Sequence, residues 1–202
     1  MFFSKIFNIM LLYLNMIKLD KIYTTGGDKG KTSLGTGKRV KKTDTIIIAI
    51  GSVEELNAHI GVAISTPKVK FTKILKNIQN DLFDIGADLA FPNILNNRKR
   101  VLRITKKHVS QIEKYIDSIN IELPPLTSFI LPGGSLISSR LHLARTVCRR
   151  CEINILQINK NMPVNLELKK YINRLSDLLF VIARAENIVN NKEVLWKPGK
   201  NI

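Results

Sequence analysis

The sequence predicts an all-α fold, a five-helix antiparallel bundle in a single domain, and three observations predict it. Five segments carry apolar residues at alternating steps of four and three, which lays their side chains along one stripe of a helix. Prolines and glycines punctuate the gaps, so the connections are short and successive helices turn back on one another. No segment alternates apolar and polar residues convincingly enough to read as a strand.

Residues 1–19, MFFSKIFNIMLLYLNMIKL, hold an apolar run from Ile6 to Leu14 broken by Asn8. The run is too short to span a bilayer. No small-x-small cleavage site precedes Asp20, and the arginines of a mitochondrial presequence are missing. The stretch is read as a leader outside the domain, with Met16 as an alternative start. The domain is expected over 20–190, followed by a polar, frayed tail over 191–202.

Residues 22–42, IYTTGGDKGKTSLGTGKRVKK, form a loop-like segment with five glycines. GGDKGKTS falls short of a P-loop, because Thr25 stands where the first glycine is required and no apolar strand precedes it. Its chemistry still suits an anion. Glycine lets backbone N–H groups approach closely, Thr and Ser hydroxyls donate, and Lys29, Lys31 and Lys42 add charge. A plain flexible loop remains the alternative.

Thr43 and Asp44 open the first helix, striped by Ile46, Ile50, Val53, Asn57, Ile60 and Ile64 and ended by Pro67. Glu54 sits one position past the stripe. The second helix carries Phe71, Leu75, Ile78, Leu82, Ile85 and Leu89 before Pro92, and a basic loop follows over 93–103. Thr105 caps the third, with Val109, Ile112, Ile116 and Ile119 inward, and Pro124-Pro125 breaks it. Phe129 to Ser135, FILPGGS, is an apolar segment closed by a turn that leads into the fourth helix.

That fourth helix has the longest stripe: Ile137, Leu141, Ala144, Cys148, Cys151, Ile155 and Ile158. Arg145, Arg149 and Glu152 each follow a stripe residue by one, forming a charged column at the core edge. Past Pro163 the fifth helix bears Leu168, Ile172, Leu175, Leu179 and Ile182, with Asn173 and Asp177 as its own polar column. Such columns are either solvated ion-pair ladders or, if Glu54 and the two columns converge, the lining of a site between helices or subunits.

Composition narrows the classes. A formal charge of +16 invites nucleic acid, but the basic residues are scattered and aromatics make up only 6%. Stacking platforms are therefore missing, and nucleic-acid binding is set aside as the minor reading. Cys148 and Cys151 form a C-x-x-C with no second ligand pair for zinc, placed mid-helix rather than at a helix start. They are read as small core residues, in keeping with a reducing compartment.

IYTTGGDKGKTSL, GSVEELNAHIG, FILPGG, HLARTVCRRCE and YINRLSDLLFVIAR occur in this order from about residue 20 to 188. Together they resemble the PduO-type ATP:cob(I)alamin adenosyltransferases. The resemblance implies a five-helix bundle assembled as a cytoplasmic homotrimer, with ATP, accompanied by Mg²⁺, and a corrinoid such as cobalamin bound between subunits. It also implies a flavoprotein reductant and no membrane partner. By the same resemblance Thr24, Gly27, Thr32, Ser33 and Lys42 surround the triphosphate, and Arg149, Arg150, Glu152 and Asn173 hold the nucleotide. Arg145 pairs across the interface with the acid at Glu54, and Phe129 packs on the corrin and excludes its lower axial ligand.

Four positions depart from the family pattern. Thr25-Gly26 stands where a basic residue and Thr are usual, Glu54 replaces Asp, and Ile153 replaces Arg. The altered loop keeps a rival reading open, a non-catalytic nucleotide- or corrinoid-binding bundle.

Overall fold

The computed structural model describes residues 23, 25–92, 102–158, 162–189 and 192–200. The 1–19 leader lies outside them. Among the described residues five helices follow a small hairpin: α1 (Thr45–Ile64), α2 (Thr72–Ala90), α3 (Lys106–Asn120), α4 (Leu136–Leu156) and α5 (Leu166–Val189). α4 packs against α1 and α5, α2 joins α1, and α3 joins α5. Partners across α4 and α5 run in opposite order: Glu152 meets Asn173, and Ser135 at the head of α4 meets Asn187. Arg140 with Val62 and Arg150 with Glu55 give α1 and α4 the same antiparallel relation.

The stripes read from the sequence are the core. All seven residues of the α4 stripe are buried, as are the five of α5. α1 is apolar enough that length and composition alone would admit a membrane span, yet Ile46, Val53, Leu56 and Ile60 are buried inside the bundle. Helix starts follow the expected chemistry. Asp44 accepts from the Ile46 N–H, and Ser135 accepts from the Ser138 N–H. Thr105 and His108 form a capping box, with Nδ1 of His108 accepting from the Thr105 N–H at 3.1 Å.

Two features differ from expectation. The glycine-rich segment contains an antiparallel hairpin, β1 (Lys31–Ser33) with β2 (Arg39–Lys41), in the register Lys31 to Lys41, Thr32 to Val40 and Ser33 to Arg39. These strands are three residues long and mostly polar, so they carry no periodic apolar signal. The polar tail, expected to fray, returns to the bundle. Leu195 bridges Ile130, Leu131 donates to the Val194 carbonyl at 2.9 Å, and Trp196 donates to the Phe129 carbonyl at 2.7 Å.

Buried polar groups at the ends of the bundle fix the connections. Asp88 accepts from Arg103, the Ile104 N–H and Asn165. Asn187 accepts from the Ser135 N–H at 2.9 Å and donates to the Gly133 carbonyl at 2.9 Å. Each such group is satisfied, which is the condition for burying it without a penalty of about 1–3 kcal/mol.

Candidate active site

The glycine-rich loop is held in shape from its outer side by an arginine that the sequence motifs do not single out. Arg39, on β2, donates from Nη2 to the Gly26 carbonyl at 2.8 Å and from Nη1 to Ser33 Oγ at 3.3 Å. Successive turns bend the loop, with Asp28 N–H on the Thr25 carbonyl and Gly30 N–H on the Gly27 carbonyl. Thr25 and Gly30 take positive φ, 56° and 71°. For a β-branched residue that conformation is strained, so Thr25 occupies an unfavourable position at the point of departure from the family pattern.

A peptide's C=O and N–H point in opposite directions. Fixing the Gly26 carbonyl on Arg39 therefore turns the Gly27 N–H to the other side. The Lys42 ammonium lies against Gly27, so close that a Cβ at this position would touch Nζ at 3.1 Å. Gly27, Lys42, Thr32 and Ser33 thus belong to one small structure. Thr24 lies outside the described residues.

On α4 the charged column divides. Glu152 accepts from Asn173 Nδ2 at 3.0 Å, Asn173 Oδ1 accepts from Arg174 at 2.7 Å, and Arg174 reaches Glu113 of α3 at 3.3 Å. The columns of α4 and α5 therefore converge. Arg149 is exposed one turn beyond Arg145. Arg150 turns toward α1 and pairs with Glu55 at 2.6 Å, both largely exposed, a contact worth little in water.

Arg145 is half-buried, and its Nε is enclosed without a hydrogen-bond partner. Burial, and next the neighbouring Arg149 charge, lower its affinity for its proton. Among the described residues no carboxylate relieves it. Glu54 does not approach it as a partner within the chain. It is exposed on α1 and lines a groove of about 230 Å³ with Asn57, Gln79 and Phe83. Arg145, His142 and Ser138 share one face of α4, and among the described residues they hold every buried side-chain nitrogen or oxygen that lacks a partner. Burial and the Arg145 charge hold the His142 imidazole below its ordinary pKa, with its ring edge toward Phe180.

Phe129 is 77% exposed, an unusual position for a large aromatic ring. It is nonetheless well supported. Its ring centroid lies 5.9 Å from that of Trp196, and Ser128 Oγ donates to the Trp196 carbonyl at 2.8 Å. The sequence reading missed Trp196, although a lone tryptophan in a polar tail was a signal that something must cover it. Below this segment, Gly134 at φ 97° packs directly on the Asn187 amide.

The two cysteines are core residues. Cys148 Sγ contacts the Ile172 carbonyl at 3.4 Å, and both thiols are free. Burial pushes Cys148 well above its ordinary pKa and Cys151 up to about 11, so neither is a thiolate at neutral pH. Asp81, Asp84 and His108, on α2 and α3, form a cluster with metal-ligand composition. His108 Nδ1 is already engaged at the start of α3, accepting from the Thr105 N–H. The cluster shares no residue with the loop or the α4 column.

Comparison with known proteins places the chain among relatives of one family. The family model for cobalamin adenosyltransferase matches residues 22–186. A corrinoid adenosyltransferase of Mycobacterium leprae (strain TN) is 46% identical over 190 residues, covering 91% of this chain and 98% of that protein. The Homo sapiens corrinoid adenosyltransferase MMAB is 40% identical over 172 residues, covering 83% and 69% respectively. A phenylalanine-to-histidine variant of a PduO-type ATP:corrinoid adenosyltransferase from Lactobacillus reuteri, complexed with cobalamin and ATP, superposes with a TM-score of 0.81. It is 34% identical, with coverage of 90% of this chain and 100% of that one. The chain therefore belongs to the cobalamin adenosyltransferase family.

Proposed function

We propose that this chain transfers the 5′-deoxyadenosyl group of ATP to the cobalt of a reduced corrinoid, at sites built between copies of itself. Cobalt(I) supplies an electron pair to the ribose 5′ carbon and a Co–C bond forms. The C5′–O bond breaks, and triphosphate leaves with the electron pair of that bond. The products are adenosylcobalamin, or its corrinoid equivalent, and inorganic triphosphate.

The observation that carries the shared site is the isolation of Arg145. A half-buried guanidinium with an unpartnered Nε is costly in the single chain. Glu54, exposed on α1, has no hydrogen bond or ion pair among the described residues. A cation lacking its anion and an anion lacking its cation, on one chain, are complementary between two chains. A heterologous contact of this kind closes into a ring, and the ring in this family reading is a homotrimer.

Within the site, Thr24, Gly27, Thr32, Ser33 and Lys42 receive the triphosphate, while Glu152 and Asn173 hold the nucleoside end. Arg149, with Lys42, meets the charge that develops on the departing triphosphate. Arg150, occupied by Glu55, contributes mainly to the general positive field. Phe129 packs on the lower face of the corrin, where an exposed, supported ring keeps out the axial base and eases reduction of cobalt.

Asp28 is the single carboxylate of the 22–42 segment, which also carries the hydroxyls of Thr32 and Ser33. That set fits a Mg²⁺ ion carried largely by the phosphates and water, where it neutralises phosphate charge. The reductant is a flavoprotein and the compartment the cytoplasm, in keeping with two unpaired thiols.

The test is anaerobic incubation with chemically reduced cobalamin and ATP, following the absorbance of adenosylcobalamin and the release of triphosphate. Stoichiometric formation of both supports the reading. ATP binding without either product supports the non-catalytic bundle instead.

A further inference from the structure

Beside Phe129 lies a cavity of about 470 Å³ whose walls include Leu131, Val194 and Trp196, with Lys197 and Lys200 at its rim. The short antiparallel pairing explains how it forms. Ile130 opposes Leu195, and hydrogen bonds between Leu131 and Val194 and between Trp196 and Phe129 hold the two segments together. Leu195 lines the cavity with its neighbours Val194 and Trp196, and the Trp196 ring also packs against Phe129. The volume lies within the range of small-molecule sites, about 300–1,000 Å³. Among the described residues no carboxylate pairs with Lys197 or Lys200.

We propose that this cavity receives the displaced nucleotide tail of the corrinoid, with its aromatic base against Trp196 and its phosphodiester at Lys197 and Lys200. The inference rests on the reading of Phe129 given above. If Phe129 takes the lower face of the corrin, the axial base has to leave the cobalt, yet a ribose-phosphate tether keeps it nearby. What the tether delivers is an apolar, stackable ring and one negative charge. The cavity offers an apolar wall, an indole and two unpaired ammonium groups. A base on an aromatic side chain is worth about 1–3 kcal/mol, and a lysine with a phosphodiester forms a charge-assisted hydrogen bond. The ligand class is therefore a complete corrinoid, bearing its nucleotide, in preference to one that lacks it.

The experiment compares cobalamin with cobinamide, which has the corrin ring but no nucleotide tail, in the full-length enzyme and in the Lys197→Ala/Lys200→Ala double variant. Both lysines are exposed near the chain end, so the fold is not at stake. The expected result is a lower KM for cobalamin than for cobinamide in the wild type, with that ratio falling about tenfold in the double variant. Trp196→Leu should reduce the same ratio. The proposal is overturned if the wild type shows no preference, if the preference survives in the double variant, or if both corrinoid KM values rise equally. A rise confined to the KM for ATP also overturns it, by placing the lysines on the other substrate. In each of these cases adenosylation itself persists; loss of adenosylation with both corrinoids in the wild type would instead overturn the assigned activity.

Discussion

Asn173 donates from Nδ2 to Oε1 of Glu152 at 3.0 Å, joining the polar edge of α5 to that of α4. Arg174 continues the chain to Glu113 of α3, so three helices meet at one half-buried network. Such a network fixes a carboxylate in one orientation while leaving its second oxygen available to a ligand. In the proposed enzyme this is the nucleoside end of the ATP site.

Replacing Asn173 by Ala removes the donor that orients Glu152. The expected outcome is a rise of about tenfold in the KM for ATP, as the loss of a hydrogen bond to a charged group implies. The KM for corrinoid should stay within twofold, roughly the scatter of separate kinetic determinations. Steady-state kinetics with each substrate varied in turn checks this.

Arg145→Met removes a guanidinium that the single chain leaves uncompensated and supplies an apolar side chain of similar length. The unassembled chain should keep its thermal stability, while the assembly, which loses the partner of Glu54, loosens and kcat falls by about 10²-fold or more, as for loss of a group acting in the transition state. Calorimetry and sedimentation alongside the reduced-cobalamin assay separate these effects. A fall in the stability of the unassembled chain would assign Arg145 to the bundle rather than to the shared site.

Gly134→Ala places a Cβ on the Asn187 amide at a backbone φ of 97°. Strain and overlap together should destabilise the protein by about 1–3 kcal/mol. Because Asn187 anchors the turn below Phe129, the KM for corrinoid should rise more than that for ATP. Chemical denaturation and the two KM values provide the check.

His142 supplies a pH dependence whose sign is fixed by its burial. Its folded pKa lies below the ordinary 6.5, so the unfolded chain binds the proton first as pH falls. Stability is therefore full above about pH 6.5 and declines as pH drops from there toward the folded pKa. His142→Phe should flatten the urea midpoint across that window. An unchanged pH profile would mean that His142 does not set the loss of stability on the acid side.

The helices were legible in the sequence because each buries one stripe, and burial of a stripe is what four-three spacing encodes. Ile137 through Ile158 shows this directly: all seven positions predicted inward are inward. The Glu152–Asn173 contact was half-legible, since both residues stood one step past a stripe. The hairpin was not, because β1 and β2 are held by backbone pairing and by Arg39 rather than by an apolar face. The tail was also misjudged. Its polar composition argued for fraying, whereas Trp196, Leu195 and three backbone or hydroxyl hydrogen bonds pin it to residues 128–131. Glu54 and Arg145 mark the limit of a single chain: each is visibly placed at a core edge, and neither finds its partner there.

The most direct test of the shared site is complementation between two inactive chains. Arg145→Ala and Glu54→Ala variants are prepared separately, shown to be inactive, then unfolded and refolded together in equal amounts. In a head-to-tail trimer, three of four randomly mixed assemblies contain one interface with both native residues, so roughly a quarter of wild-type activity should return. Mixed assemblies that form but stay inactive would contradict a site shared by Arg145 and Glu54 of neighbouring chains.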